Sequence, residues 1–112
     1  MKTMIERGAA DFGAAAVERE IAQWMKSYLA DLLEIDVAEI DEEISFDRYG
    51  LDSLASVGML GDLEEWLGSE LDPALSSDHP SIKALARQLA SDDRLRVILT
   101  RRLGASPTAP LL

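Results

Sequence analysis

Apolar residues recur at steps of three and four between Ala14 and Ile35: Val17, Ile21, Trp24, Met25, Tyr28, Leu29, Leu32 and Leu33. That spacing lines one face of a helix, so a long amphipathic first helix is predicted there. Over residues 36–52 the periodicity stops. Asp36, Asp41, Asp47 and Gly50 are turn formers, but Val37, Ile40, Ile44, Phe46, Tyr49 and Leu51 are interspersed among them. Loops this long are usually functional or disordered, and the apolar residues predict an ordered one tacked to the core by its own side chains. A second helical stripe follows at Leu54, Val57, Leu60, Leu63 and Leu67. Asp52 or Ser53 can cap its start, and Gly68 can end it.

Gly58 and Gly61 lie inside this second helix. Each costs on the order of 1 kcal/mol relative to alanine if exposed. They mark a place of close approach, either by a partner or by another helix of the bundle. The connector from Ser69 to His79 has room for one short helical turn. Pro80 suits the first position of a third helix, where no N–H partner is needed, and Ile82, Leu85, Ala86 and Leu89 give that helix its stripe. Ser91-Asp92-Asp93 either interrupts the third helix or caps a turn-rich segment carrying Leu95, Ile98 and Leu99, and Arg101, Arg102 and Gly104 fit a helix end. The predicted fold is all-α, a small three-to-four-helix bundle with a long ordered loop between helices 1 and 2. Residues 1–12 are read as a flexible lead, 13–103 as the domain and 104–112 as a flexible tail.

Charge sharpens this picture. Residues 31–78 carry fifteen acids against one base, Arg48, for a net charge of −14, whereas residues 79–112 carry two acids and six bases, net +4. An acidic centre repels nucleic acid and steers in partners with basic patches; the bland alternative is a solvated acidic surface. Cysteine is absent and His79 is the only histidine, so disulfides and thiolate metal sites are excluded and histidine-based chemistry has little to draw on. No apolar run approaches the roughly 20 residues a membrane span needs, and no basic-then-apolar leader opens the chain. A cytoplasmic monomer with no nucleic acid and no membrane is expected.

The candidate chemistry centres on Ser53, in Tyr49-Gly50-Leu51-Asp52-Ser53-Leu54. A hydroxyl at the start of a helix meets unpaired backbone N–H groups and the positive end of the helix dipole, a field that favours a phosphate ester. The plain alternative is a serine that only caps the helix. A hydrolase would need a base and an oxyanion site beside Ser53, and His79 sits before a proline in a connector. Asp41, Asp47 and Asp52 do not follow the calcium-loop pattern.

These residues carry a family resemblance over roughly residues 17–90. Gly50-Leu51-Asp52-Ser53-Leu54, followed by an acidic helix ending Leu63-Glu64-Glu65-Trp66-Leu67, resembles the acyl carrier proteins. His79-Pro80-Ser81-Ile82-Lys83-Ala84-Leu85-Ala86 resembles the start of the last helix in polyketide-synthase carrier domains. The resemblance implies a carrier, not an enzyme. Ser53 would receive 4′-phosphopantetheine from coenzyme A through a Mg²⁺-dependent phosphopantetheinyl transferase. The arm's thiol would hold an acyl or polyketide intermediate as a thioester, which accounts for a chain without cysteine.

By the same resemblance, Asp52 would orient the transferase or its metal, and Leu54 would dock in its apolar pocket. Val57, Gly58, Gly61, Glu64 and Glu65 would meet partners such as an acyl-loading enzyme or a ketosynthase. Gly58 stands where fatty-acid carriers commonly have an acid, and Gly61 where they have a bulky apolar residue. Trp66 fits either a partner contact or the core. Peptidyl carriers usually show Gly-Gly before His-Ser or Asp-Ser, so Gly50-Leu51-Asp52 favours acyl over aminoacyl cargo. The opening methionine and short flanks suggest a discrete carrier acting in trans, with an acyl groove lined by Val57, Leu60, Leu63 and Ile82. A peptidyl carrier and a helical adaptor with no prosthetic group are the rival readings.

Overall fold

The computed structural model describes residues 15–108. The predicted lead, residues 1–12, and the last four residues of the predicted tail lie outside them. Helix α1 is Val17–Leu33, α2 is Ser53–Leu67, α3 is the single turn Leu75–Asp78, α4 is Ile82–Ala90 and α5 is Asp93–Thr108. The architecture is all-α, as the periodicity indicates, with an isolated antiparallel bridge between Ser45 and Ser81.

Helix α1 buries Val17, Ile21, Met25 and Leu29, an i, i+4 row, and packs most extensively on α4. It ends at Glu34, which takes a left-handed conformation at φ 58°, so that Ile35 N–H can donate to Ala30 C=O at 3.0 Å. Leu32 belongs to the predicted stripe but is half exposed.

The 36–52 loop is ordered by anchors and stitches. Ile40, Phe46 and Leu51 are buried, whereas Val37 remains exposed. Short 3-10 turns occupy Val37–Glu39 and Phe46–Tyr49, capped by Asp36 and Ser45. Phe46 N–H donates to Pro80 C=O at 2.8 Å, and Lys83 N–H donates to Glu42 C=O at 2.9 Å. Tyr49 Oη accepts from Asp41 N–H at 2.6 Å. Lys26 pairs with Glu42 at 2.7 Å, a half-exposed contact worth at most about 1 kcal/mol. The buried anchors and backbone bonds therefore hold the loop against α4.

Two elements depart from the sequence reading. Pro80 is not the first residue of the third helix. Ser81 caps α4 by accepting from Ala84 N–H at 3.2 Å, an acceptor that a proline side chain lacks, and the Pro80 carbonyl is taken by Phe46. The segment after Ser91 is a full helix rather than a set of turns. Asp92 Oδ1 accepts from Arg94 N–H at 2.9 Å, and Leu95 and Leu99, one turn apart, are buried in the common core. This helix continues through Gly104 to Thr108, since one glycine costs only about 1 kcal/mol and does not stop a helix by itself.

Candidate functional site

The site begins with a backbone constraint. Gly50 sits at φ 86°, a left-handed conformation that L side chains rarely adopt. Its N–H donates to Asp47 C=O at 2.9 Å, and Leu51 N–H donates to Phe46 C=O at 3.1 Å. The turn drops Leu51 into the core, where it is 4% exposed, and leaves Asp52, Ser53 and Leu54 facing solvent.

Asp52 is the cap of α2. Its Oδ1 accepts from Ala55 N–H at 2.8 Å. Ser53 is then the first helical residue rather than the cap, and its hydroxyl is not engaged in holding the helix. The N–H groups of Ser53 and Leu54 precede the first intrahelical bond, from Ser56 N–H to Asp52 C=O. Two exposed donors thus flank the Ser53 hydroxyl at the positive end of a 15-residue helix. An anionic ester on Ser53 fits this position.

Beyond Ser53 the outer face of α2 is bare. Leu54 is 82% exposed and Val57 45% exposed. Gly58 and Gly61 are exposed, and a Cβ built on either meets nothing within 4 Å. This removes tight packing inside the bundle as the reason for the two glycines. Glu65 is exposed beside them, as is Asp62. Glu64, which the resemblance puts with them, is half buried and bonded within the fold. Its Oε2 accepts from Leu71 N–H at 2.9 Å, tying the end of α2 to the connector.

Trp66 packs against the core rather than standing on this face. It stacks on Trp24 with ring centroids 5.8 Å apart, and Trp24 stacks on Tyr28 at 5.3 Å. Burial, and then the neighbouring Asp62 carboxylate, hold the Tyr28 phenol above its ordinary pKa range. This aromatic column joins α1 to α2.

A cleft of about 370 Å³ opens at Ser53. Phe46, Leu51, Val57 and Pro80 supply its apolar lining, and Ser56, Ser76 and Ser77 supply hydroxyls. It is not the expected acyl groove. Leu60, Leu63 and Ile82 are at most 3% exposed and belong to the closed core, so only Val57 is common to both. The serines were not legible as site residues because α3 meets α2 only through the fold. Ser56 alone carried a signal, lying one turn from Ser53 on the same helix. Among the described residues no helix is long and apolar enough to cross a membrane.

Comparison with known proteins agrees with this geometry. The phosphopantetheine attachment site family matches residues 23–89. The chain is 39% identical over 72 residues to the acyl carrier protein TtuC of Teredinibacter turnerae, covering 64% of this chain and 83% of that protein. Asl1650, an acyl carrier protein from Anabaena with a variant phosphopantetheinylation-site sequence, superposes with a TM-score of 0.64 at 41% identity, covering 68% of this chain and 86% of that one. A free-standing peptidyl carrier protein from an Acinetobacter baumannii secondary metabolic pathway superposes with a TM-score of 0.61 at 34% identity, covering 66% and 92%. Polyketide synthases also match, but the chain spans only 3% of a highly reducing one from Pyricularia oryzae. An exposed serine at a helix start capped by its neighbour, on a bundle shared with both acyl and peptidyl carriers, has a family to belong to: this chain is a carrier domain of the phosphopantetheine attachment family, a non-enzymatic carrier whose prosthetic group is 4′-phosphopantetheine.

Proposed function

We propose that Ser53 bears the 4′-phosphopantetheine arm and that the chain carries acyl intermediates of a polyketide or related lipid pathway as thioesters. The observation that carries this reading is the position of Ser53: exposed, first in α2, released from capping by Asp52, and flanked by free N–H donors. In the loading step Ser53 Oγ forms the bond to phosphorus, its proton passes to a base of the transferase, and the phosphorus–oxygen bond to the nucleotide half of coenzyme A breaks. The arm then supplies the thiol that this cysteine-free chain lacks. What the chain itself contributes is an accessible hydroxyl, a field that favours the phosphodiester, and an outer face of α2 by which the transferase and acyl-processing enzymes find it.

Leu54 and Val57 offer that face apolar contacts, and Asp62 and Glu65 offer charge to basic patches. Individually weak pairs suit docking that must release quickly. Acyl cargo is supported by Gly50-Leu51-Asp52 before Ser53 and by relatives named as acyl carriers and polyketide synthases. The peptidyl reading has its own support in the Acinetobacter carrier.

Intact-mass analysis after incubation with coenzyme A and a phosphopantetheinyl transferase tests the attachment. One added arm is expected on the parent chain and none on Ser53→Ala with unchanged helicity; a modified Ser53→Ala would overturn the assignment. Offering the holo form to an acyl-loading and to an amino-acid-activating enzyme then separates the cargoes. Acyl transfer alone is expected, and aminoacyl transfer alone would contradict the reading.

A further inference from the structure

Helix α5 lies beyond the reach of the family match, which ends at residue 89, whereas α5 starts at Asp93. Its inner row is ordinary. Leu95 and Leu99 are buried in the common core, and the helix packs on α1, α2 and α4. Its outer row is different. Arg94, Val97 and Arg101 stand at i, i+3 and i+7, so they share one side of the helix over about 10 Å. All three are exposed, Val97 at 53%. Helix formation explains neither arginine. Arg94 stands in the first turn, where the helix dipole disfavours a cation. Arg101 is seven residues short of Thr108, too far from the end to complement the dipole there. Pairing within the fold explains little more. Arg94 meets Asp92 only at 3.9 Å with both side chains in solvent, and Arg101 has no ion pair among the described residues. Charge also sets this helix apart: residues 93–108 carry one acid and four bases, net +3, on a chain whose residues 31–78 carry −14.

We infer that the Arg94–Val97–Arg101 row is a second docking surface, and that its occupant is an acidic helix of an acyl-processing partner, with two carboxylates about two turns apart and an apolar residue between them. The inference rests on the proposed carrier role for the identity of that partner. Charge complementarity selects the occupant. Each guanidinium can take a carboxylate through two parallel hydrogen bonds, and an apolar side chain between the carboxylates covers Val97. Nucleic acid also offers anions, but the −14 block on the same small domain repels a polyanion. A membrane surface needs a broad apolar face, and the leucines of α5 are already buried in the core. The row shares no residue with the outer face of α2, so one partner can hold both. A contact at α5 then keeps the carrier close while α2 releases and rebinds, because the second contact is governed by effective concentration rather than by bulk concentration. Weak pairs on α2 exchange quickly without the carrier being lost.

The probe is a synthetic helical peptide with two glutamates seven positions apart and a leucine between them, titrated into the isotope-labelled full chain and followed by NMR. Shifts centred on Arg94, Val97 and Arg101 are expected, with binding that weakens as salt rises. The double variant Arg94→Glu, Arg101→Glu is expected to bind at least about tenfold more weakly with unchanged helicity, and to bind a peptide carrying lysines in place of the glutamates instead. Val97→Ala, a milder change, is expected to weaken binding without altering the fold. A scrambled peptide of the same composition that binds equally well would overturn the inference, as would shifts centred elsewhere. Duplex DNA or phosphatidylglycerol vesicles binding at α5 in preference to the peptide would assign the row to phosphate and overturn it. Dimerisation of the parent that the double variant abolishes would assign the row to a second copy, with the same consequence. Phosphopantetheine loading of the same samples keeps the two readings apart, and the double variant is expected to load as the parent does. Normal loading without peptide binding would fail the inference alone. A parent that binds the peptide but never loads would fail the carrier reading, and with it the partner named here.

Discussion

The two faces of α2 differ as much as two parts of one helix can. Met59, Leu60, Leu63 and Leu67 point inward and are at most 3% exposed. Leu54, Val57, Gly58 and Gly61 point outward, two of them large apolar residues left in water and two without a side chain. The inner face obeys the rules of core packing. The outer face breaks them, with exposed leucine and interior glycine both unfavourable for an isolated domain. On the proposed reading, a helix that accepts such losses on one face only keeps that face for recognition.

Substitutions can break this contrast. Leu63→Ala removes a fully buried side chain and is expected to cost about 2–5 kcal/mol in denaturant unfolding. Leu54→Ala on the other face is expected to change stability by less than about 0.5 kcal/mol while slowing modification by the transferase. Equal stability losses at both positions would erase the distinction. Next in size is Glu64→Ala, which leaves Leu71 N–H without its charged acceptor and is expected to cost about 1.5–3 kcal/mol. Glu65→Ala, exposed and outside that bond, is expected to leave the melting temperature almost unchanged and to weaken partner turnover in a salt-dependent way. Salt-independent loss would point away from electrostatic docking.

Smaller effects sharpen the same contrast. Gly58→Ala and Gly61→Ala meet open space and good helical geometry, so each is expected to stabilise the fold by about 0.5–1 kcal/mol in thermal unfolding. Slower partner reactions with these more stable variants would show that the bare backbone serves docking. The smallest effect concerns pH. The Tyr28 phenol is held above its ordinary range in the folded state, so the unfolded chain loses this proton first. The stability it contributes is full below about pH 10, the ordinary phenol pKa, and falls as pH rises through the folded value. Tyr28→Phe is expected to remove that alkaline component in urea titrations compared below and above the ordinary phenol pKa.

The sequence reading succeeded where the physics is local. Helical periodicity located α1 and α2, Gly68 ended α2 at φ 72°, and Asp52-Ser53 marked its start. The loop's ordering was legible from Ile40, Phe46 and Leu51 because buried anchors are apolar wherever they occur. What was missed depends on distant partners. Glu64 looks like any surface acid until Leu71 turns back to meet it, and Trp66 could be assigned to the core only through its stack on Trp24 in another helix. Pro80 looked like a helix opener because its carbonyl bond to Phe46 joins residues 34 positions apart. Ser76 and Ser77 have no sequence signature, since neither residue is unusual until α3 brings them to the cleft at Ser53.

The claim on which the rest depends is that the first residue of α2 bears the arm. Fragmentation mass spectrometry of the intact holo chain tests it most directly, because it reads the modified position without any substitution. A single phosphopantetheine confined to fragments containing Ser53 is the expected result. A fully competent preparation that stays bare there, or bears the group on another serine, would contradict the account.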